Sequence, residues 1–359
     1  MQKFVLEQAG LKIRKAMLVL VDSSYVRQGP IDPSAFFRLE DLTEEAEERE
    51  KEIRQNISNF LKTIQSKTEP AIDIGAHCSD PYDCDFQDYC WAHVPDCSIF
   101  NIPRLNGNKK AELVSRKILA IEQVPDSFPL SDNQRRHVDI IKSGKPRVDR
   151  EAISRLLDTL KYPLYFLDFE TINPAIPPYD GLRPFQQIVF QASLHVQKKS
   201  NSKLEHFEYL GEGEQDPRSE AARFLLKNIG PAGSVVVFNK SFEVTRIKEL
   251  AEAFPGHASQ LLAINKRVWD LAEPFQKGFY LHPGFRCSYS IKNVLPVLVP
   301  GMSYDGLEIA NGSDAQVAYA NLMSDQLSTT ERDNIKTALK RYCGQDTLAM
   351  VEILSHIWR

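Results

Sequence analysis

An α/β fold, a mixed sheet flanked by helices, is what this sequence predicts, and three observations predict it. Leu164 to Thr171 (LYFLDFET) opens with four apolar or aromatic residues in succession, the mark of a strand buried on both faces. Two further strand-like runs, Ile188 to Val196 and Leu204 to Tyr209, flank the polar turn Lys198 to Ser202, so the three read as an antiparallel meander. Beyond them strands alternate with helices: a helix over Ser219 to Asn228, VVVF at Val235 to Phe238, a helix from about Phe242 to Ala253, and a short strand at Val268 to Leu271 ending near Asp270. A final helix, Glu331 to Trp358, carries Tyr342 and Asp346.

The first half of the chain reads differently. Gln2 to Ala9 has helical character, Met17 to Val21 (MLVLV) reads as a strand, and Ser24 to Gly29 as a second extended segment completing an isolated hairpin. A long helix follows from Asp41 to Thr63; the acids from Glu44 to Glu52 suit its N-terminal dipole and a solvated face. Ile102 to Lys145 reads as a connector, with a turn at Asn106 to Asn108 and the most basic local stretch of the chain: Arg135, Arg136, Lys142, Lys145, Arg147 and Arg150. That stretch is either a solvated linker or a rim that contacts phosphates. Arg150 to Leu160 forms an amphipathic helix leading into LYFLDFET. The length of 359 residues suits two or three domains, with boundaries expected at 105/106 and 160/161.

Composition narrows the class. Hydrophobic residues are 42% and charged residues 26%, the balance of a soluble globular protein. The net charge of -4 gives no global electrostatic footprint for nucleic acid, so such binding has to come from a local surface. No apolar run approaches a membrane span and Met1 is not followed by a signal-peptide core, which predicts a cytoplasmic protein without a membrane partner. In a reducing compartment the crowding of Cys78, Cys84, Cys90 and Cys97 points to a metal site before a disulfide framework. The Cys-x5-Cys-x5-Cys spacing is long for a zinc ribbon and suits an iron–sulfur cluster better. Cys97 is the near candidate for a fourth ligand, His77 or His93 could serve a zinc ion, and a small aromatic knot of structural thiols is the alternative.

The acids carry the sharper chemistry. Residues two apart on a strand share a face, so Asp168 and Glu170 project side by side and repel unless a cation lies between them. Hard divalent ions such as Mg²⁺ and Mn²⁺ take oxygen ligands of this type; a strand end whose acids reach solvent is the other reading. Glu243 opens the helix after VVVF. Tyr342 and Asp346, four residues apart, lie on one face of the last helix.

In this order the motifs resemble those of the DEDD exonucleases, tyrosine subtype, in the ribonuclease H-like superfamily. Asp168 and Glu170 match the Asp-x-Glu of the first motif, Asn239 and Glu243 the second, Tyr342 and Asp346 the Tyr-x3-Asp of the third. The family usually has Asp where Glu243 stands, and the extra methylene puts catalytic efficiency in doubt. More closely, the chain is similar to the domain of unknown function 2779 family of bacteria, through LYFLDFET, FNKSFE, YSIKNVLP, SYDGL, NGS and RYCGQDTLAM. This resemblance implies a partial RecB/Cas4-like nuclease module with an iron–sulfur-type cysteine cluster over residues 1–105, a linker and helix over 106–160, and a ribonuclease H-like exonuclease domain over 161–359. It also implies that the module's own catalytic residues, and one cluster cysteine, lie upstream of Met1. The implied 4Fe–4S cluster is held by Cys78, Cys84 and Cys90, with Cys97 or the upstream cysteine as the fourth ligand, and is incomplete in this chain where the upstream cysteine is the one required.

The resulting expectation is a two-metal 3′→5′ exonuclease-type phosphodiesterase acting on single-stranded DNA or RNA. Asp168 bridges two Mg²⁺ or Mn²⁺ ions, Glu170 and Asp346 ligate one, Glu243 supports the other, and Tyr342 orients the attacking water. Thr171 and Asn239 are expected to contact substrate. The rival expectation is a nucleic-acid or partner-binding scaffold of the same fold in which the acid pocket does not turn over.

Overall fold

The computed structural model describes residues 1–213, 215–324 and 327–358; Arg359, the last residue of the predicted exonuclease domain, lies outside them. The chain forms two units, one of Met1–Asp73 with Asn173–Gln186, the other of Ile74–Ile172 with the residues from Gln187 onward.

In the first unit a short helix α1 (Gln2–Gln8) precedes strand β1 (Met17–Val21). The hairpin is not closed by Ser24 to Gly29. The partner is β2 (Phe37–Asp41), antiparallel, with Met17 opposite Asp41 and Val21 opposite Phe37. The intervening residues are held by side chains: Asp32 caps a helical turn at Ser34, and Asp22 accepts from the Ser24 amide and hydroxyl. Such local acceptors stabilise turns at the expense of strands. The predicted long helix therefore begins later, and it is broken at Arg49 before α2 (Glu50–Gln65). In the same unit, the Arg27 guanidinium donates to the carbonyls of Pro177 at 2.8 Å and Pro178 at 2.6 Å.

The second unit begins with the cysteine segment. Ile102 to Lys145, read from the sequence as a connector, instead supplies most of a core built from Ile99, Ile102, Leu105, Leu113, Ile121, Val124, Phe128, Val138 and Cys287. Helix α3 (Gly107–Ser115) is capped by Asn106, and α4 (Asp132–Ser143) by a reciprocal Ser131–Gln134 pair. Two of the basic residues are spent internally: Arg135 donates to the Phe128 carbonyl at 2.7 Å, and Lys142 lies 2.6 Å from Asp126. Short strand β3 (Arg147–Val148) and helix α5 (Arg150–Leu157), capped by Asp149, lead to the sheet.

That sheet is mixed and five-stranded, as the run pattern predicts. Its strands are β4 (Leu164–Ile172), β5 (Ile188–Gln197), β6 (Leu204–Leu210), β7 (Ser234–Val237) and β8 (Val268–Asp270), in the order β6-β5-β4-β7-β8. The β6-β5-β4 half is antiparallel and β4-β7-β8 is parallel. The parallel steps need crossovers, supplied by α6 (Arg218–Asn228) and by α7 (Lys240–Ala253) with α8 (Ala258–Asn265). Alternation along β4 divides its side chains. Tyr165, Leu167 and Phe169 enter a core shared with Val235, Val237, Leu225, Ile247 and Leu250. Each such side chain contributes roughly 1.5–3 kcal/mol. The other face carries Leu164 and Phe166, both buried, and then Asp168 and Glu170.

Strand β9 (Tyr280–Leu281) pairs with β3. Three helices complete the unit: α9 (Ile291–Leu298), α10 (Gly312–Leu322) and the long α11 (Thr329–Ile357), which lies along β4 and β5. Buried polar contacts fix the placement of α11. Thr347 Oγ1 is 2.8 Å from His195 Nδ1 and 2.7 Å from Ser193 Oγ, and the Gln191 amide donates to the Leu339 carbonyl at 2.9 Å.

One glycine is required by the start of β7. Gly233 has φ +93°, and a Cβ there would lie 2.1 Å from the Pro163 carbonyl oxygen. Both backbone strain and overlap oppose a side chain. Gly233→Ala is expected to destabilise the protein by roughly 3 kcal/mol, read as a lowered melting temperature. An unchanged melting temperature would contradict the packing described.

Candidate active site

The acids gather where β4 ends under α11. Asp168 lies opposite Ser193 in the sheet, and Ser193 contacts Thr347, the neighbour of Asp346. Register therefore places the strand acids beside the middle of α11. Asp168 is partly exposed, whereas Glu170, Glu243 and Asp346 keep only 8%, 3% and 8% of their surface. Desolvation pushes the Asp168 carboxyl well above the usual carboxylate range, and the charges of Asp346, Glu170 and Glu243 push it further. Glu170 rises to about 8 through burial first and then Asp346, with Glu243 adding and Lys292 opposing. Glu243 also rises to about 8, by burial and by Asp270, against the pull of Arg246. Asp346 rises only to about 6, because the Tyr304 hydroxyl and Lys292 favour its charged form. Four carboxylates thus repel one another in a site with little water, which is the electrostatic signature of a cation-binding pocket or of a proton-sharing one.

The predicted residues fare differently. Tyr342 is buried, and the charges of Asp346, Glu170 and Asp168 all raise its phenol, so it faces the same acids. Thr171 is buried, and its hydroxyl donates to Gln187 Oε1 at 2.5 Å. Asn239 is exposed at the start of α7 with φ 133°, its side-chain oxygen accepting from the Ser241 hydroxyl at 2.8 Å. The cysteines of the N-terminal cluster are free thiols: Cys78 is buried, Cys84 exposed, Cys90 and Cys97 half-buried. Among the described residues their sulfurs do not form a group of three or more within ligand range of one ion. Cys97 instead has Cys287 as its thiol neighbour.

Three residues of the pocket carried no role in the sequence reading. The Tyr304 hydroxyl donates to Asp346 Oδ1 at 2.5 Å. Lys292 Nζ stands 5.6 Å from the Tyr304 ring centre and 5.7 Å from that of Tyr342, and donates to the Ala310 carbonyl. Cys343, fully buried, points its sulfur at Asp168 Oδ2, 3.6 Å away. All three lie inside stretches that the sequence singles out (SYDGL, YSIKNVLP and RYCGQDTLAM), but nothing in their spacing links them to the acids. Gly312, at the start of α10, comes close to Glu170: a Cβ there would lie 3.8 Å from Glu170 Oε2.

The Tyr304–Asp346 bond has a measurable consequence. Tyr304→Phe removes the donor that favours the Asp346 carboxylate, and a hydrogen bond to a charged group is worth about 1.5–3 kcal/mol. The Asp346 titration is expected to move up from about 6 by roughly 1–2 pH units, followed by carboxyl-carbon NMR in metal-free protein. An unmoved titration would show that the bond is not made in solution.

A divalent ion fits the residues present. Asp168, Glu170 and Cys343 offer ligand atoms that all lie within 4.8 Å of one another. Glu243 Oε2 is buried with no hydrogen-bond partner among the described residues, an acceptor that a cation would satisfy.

Comparison with known proteins bears on the family resemblance. The family model described as "Domain of unknown function (DUF2779)" matches residues 165–290, a span that holds Asp168, Glu170, Asn239 and Glu243 and stops short of Tyr342 and Asp346. The chain is similar to "Uncharacterized protein UU173" of Ureaplasma parvum serovar 3, 28% identical over 240 residues, covering 60% of this chain and 34% of that protein. It is similar to "Uncharacterized protein MG366" of Mycoplasma genitalium, 31% identical over 219 residues, covering 55% of this chain and 32% of the relative. The chain spans about a third of the length of these curated relatives. No solved structure matches it. No helix among the described residues is long and apolar enough to cross a membrane.

Proposed function

We propose that the acid pocket is the active site of a metal-dependent nuclease of the ribonuclease H-like, DEDD type, cleaving single-stranded DNA or RNA from the 3′ end. The observation that supports this reading is the pair of β4 acids, Asp168 and Glu170, in ligand range of one ion, with the charge of Asp346 on α11 acting on both and one oxygen of Glu243 buried and unpartnered among the described residues. Asp168, Glu170 and Asp346, with Glu243 in support, would hold divalent cations such as Mg²⁺ or Mn²⁺. Bound there, such cations would supply charge stabilisation for an in-line phosphoryl displacement and would make a water more acidic. The chain's own groups do the positioning. Tyr304 holds the Asp346 carboxylate in place through its hydroxyl. Tyr342 turns a neutral hydroxyl toward the same acids and orients the water. Lys292 supplies a positive charge that tempers the repulsion at Glu170 and Asp346.

A partner-binding scaffold is the second reading, favoured by Glu243 in a motif where the resembled exonucleases have Asp. One experiment separates the two. Purified protein is incubated with 5′-labelled single-stranded DNA and, separately, RNA, in Mn²⁺ and in EDTA. Stepwise shortening that stops in EDTA supports the nuclease. Intact substrate in Mn²⁺, with the ion bound, leaves the scaffold.

A further inference from the structure

We infer that Cys343 is itself a metal ligand, so that one position of the pocket is a mixed oxygen–sulfur site that prefers a thiophilic divalent cation such as Zn²⁺ or Co²⁺ over Mg²⁺. The inference rests on reading the acid pocket as a divalent-metal site, and goes beyond it in assigning the ligand set and the selectivity. Three observations carry it. Cys343 Sγ stands 3.6 Å from Asp168 Oδ2, and with Glu170 the three ligand atoms lie within 4.8 Å of one another. Donor atoms around one tetrahedral ion, at about 2.3 Å for sulfur and about 2.0–2.2 Å for oxygen, are separated by distances of that order. Second, the sulfur is held there by the helix. Cys343 has no exposed surface and lies three residues before Asp346 on α11, so the two share a face. Third, Glu243 Oε2 is buried with no hydrogen-bond partner among the described residues.

A buried free cysteine commonly does no more than pack. Here its sulfur lies against a carboxylate rather than a purely apolar wall, and that carboxylate is flanked by a second one. Thiolates are soft donors and select zinc-like ions, whereas Mg²⁺ takes oxygen ligands in near-ideal octahedral geometry. On binding, the thiol proton is released to solvent and the sulfur electron pair goes to the cation.

Cobalt supplies a direct readout, because a thiolate bound to Co²⁺ gives a charge-transfer absorption that oxygen ligands do not. Titration of the full chain with Co²⁺ is expected to produce this absorption, and both Cys343→Ser and Asp168→Asn to remove it. Loss in both variants assigns the band to this pocket rather than to the cysteines at 78, 84, 90 and 97. Cys343→Ser is further expected to lower Co²⁺ affinity by at least about 10-fold and Mn²⁺ affinity, read by calorimetry, by less than that. Co²⁺ binding that depends on Asp168 but shows no charge transfer, or a band that survives Cys343→Ser, would overturn the inference and leave the proposed nuclease standing. Absence of any divalent binding that depends on Asp168 would overturn both. Should the serine variant fold poorly, cadmium NMR of the unmodified protein decides: a thiolate-ligated resonance lost in Asp168→Asn supports the assignment, and an oxygen-only resonance refutes it.

Discussion

Asp168→Asn is expected to lower nuclease activity by roughly 10³-fold or more, about 4 kcal/mol of transition-state stabilisation, while making the metal-free protein more stable. The two halves of this result come from one cause. The Asp168 carboxyl sits among Asp346, Glu170 and Glu243, each of which disfavours its charge. Asn keeps the shape, removes one of the repelling charges and cannot bridge two cations. Activity and stability should therefore move in opposite directions, as happens where a site holds strain for function. Thermal melting in EDTA and a nuclease assay in Mn²⁺ measure the pair. If the aspartate were only structural, the substitution would lower the melting temperature and leave residual activity in proportion to folded protein.

The second large effect is on stability against pH. Glu170 and Glu243 move from an ordinary value of 4.5 to about 8 in the folded protein, mainly through burial. A folded state that holds protons more tightly than the unfolded chain loses stability as pH rises. The loss begins above the unfolded value near 4.5 and ends near 8, because over that window the folded carboxyl is protonated and the unfolded one is not. For one such carboxyl the loss is on the order of 5 kcal/mol, and the two interact, so the pair loses less than twice that. Metal-free protein is thus expected to melt at a markedly higher temperature at pH 5.5 than at pH 8. Adding Mn²⁺ at pH 8 should recover part of the difference, since a ligand at 100 times its Kd contributes about 2.7 kcal/mol. A melting temperature that rises with pH in EDTA would mean that these acids are solvated.

The sheet could be read in the sequence because its strands are buried on both faces and spell nearly continuous apolar runs, VVVF and LYFL among them. The acids of β4 and the Tyr342–Asp346 pair could be read for a related reason: each is a local spacing, two residues on a strand or four on a helix. Tyr304 and Lys292 could not. Tyr304 reaches Asp346, and Lys292 the Tyr342 ring, from about 40 to 50 residues away in sequence, and that meeting is set by how α9, the following loop and α11 pack. Cys343 carries no such local signal, because its sulfur meets Asp168 only through the packing of α11 on β4. The first hairpin was misread because Ser24 to Gly29 has extended-type residues but its turn acceptors are on Asp22 and Asp32, leaving FRLED to pair with MLVLV. Ile102 to Lys145 reads as a connector because its apolar residues are sparse and aperiodic; they meet only when short helices and single turns fold together.

Anomalous scattering from crystals grown with Mn²⁺ tests the central claim most directly. The account predicts two manganese peaks in the pocket, one in contact with Asp168 and Glu170 and the other with Asp168 and on the Glu243 side, both absent from Asp168→Asn. A pocket empty of manganese at saturating concentration, with Asp168, Glu170 and Asp346 hydrogen-bonded to one another as shared-proton carboxyls, would contradict it.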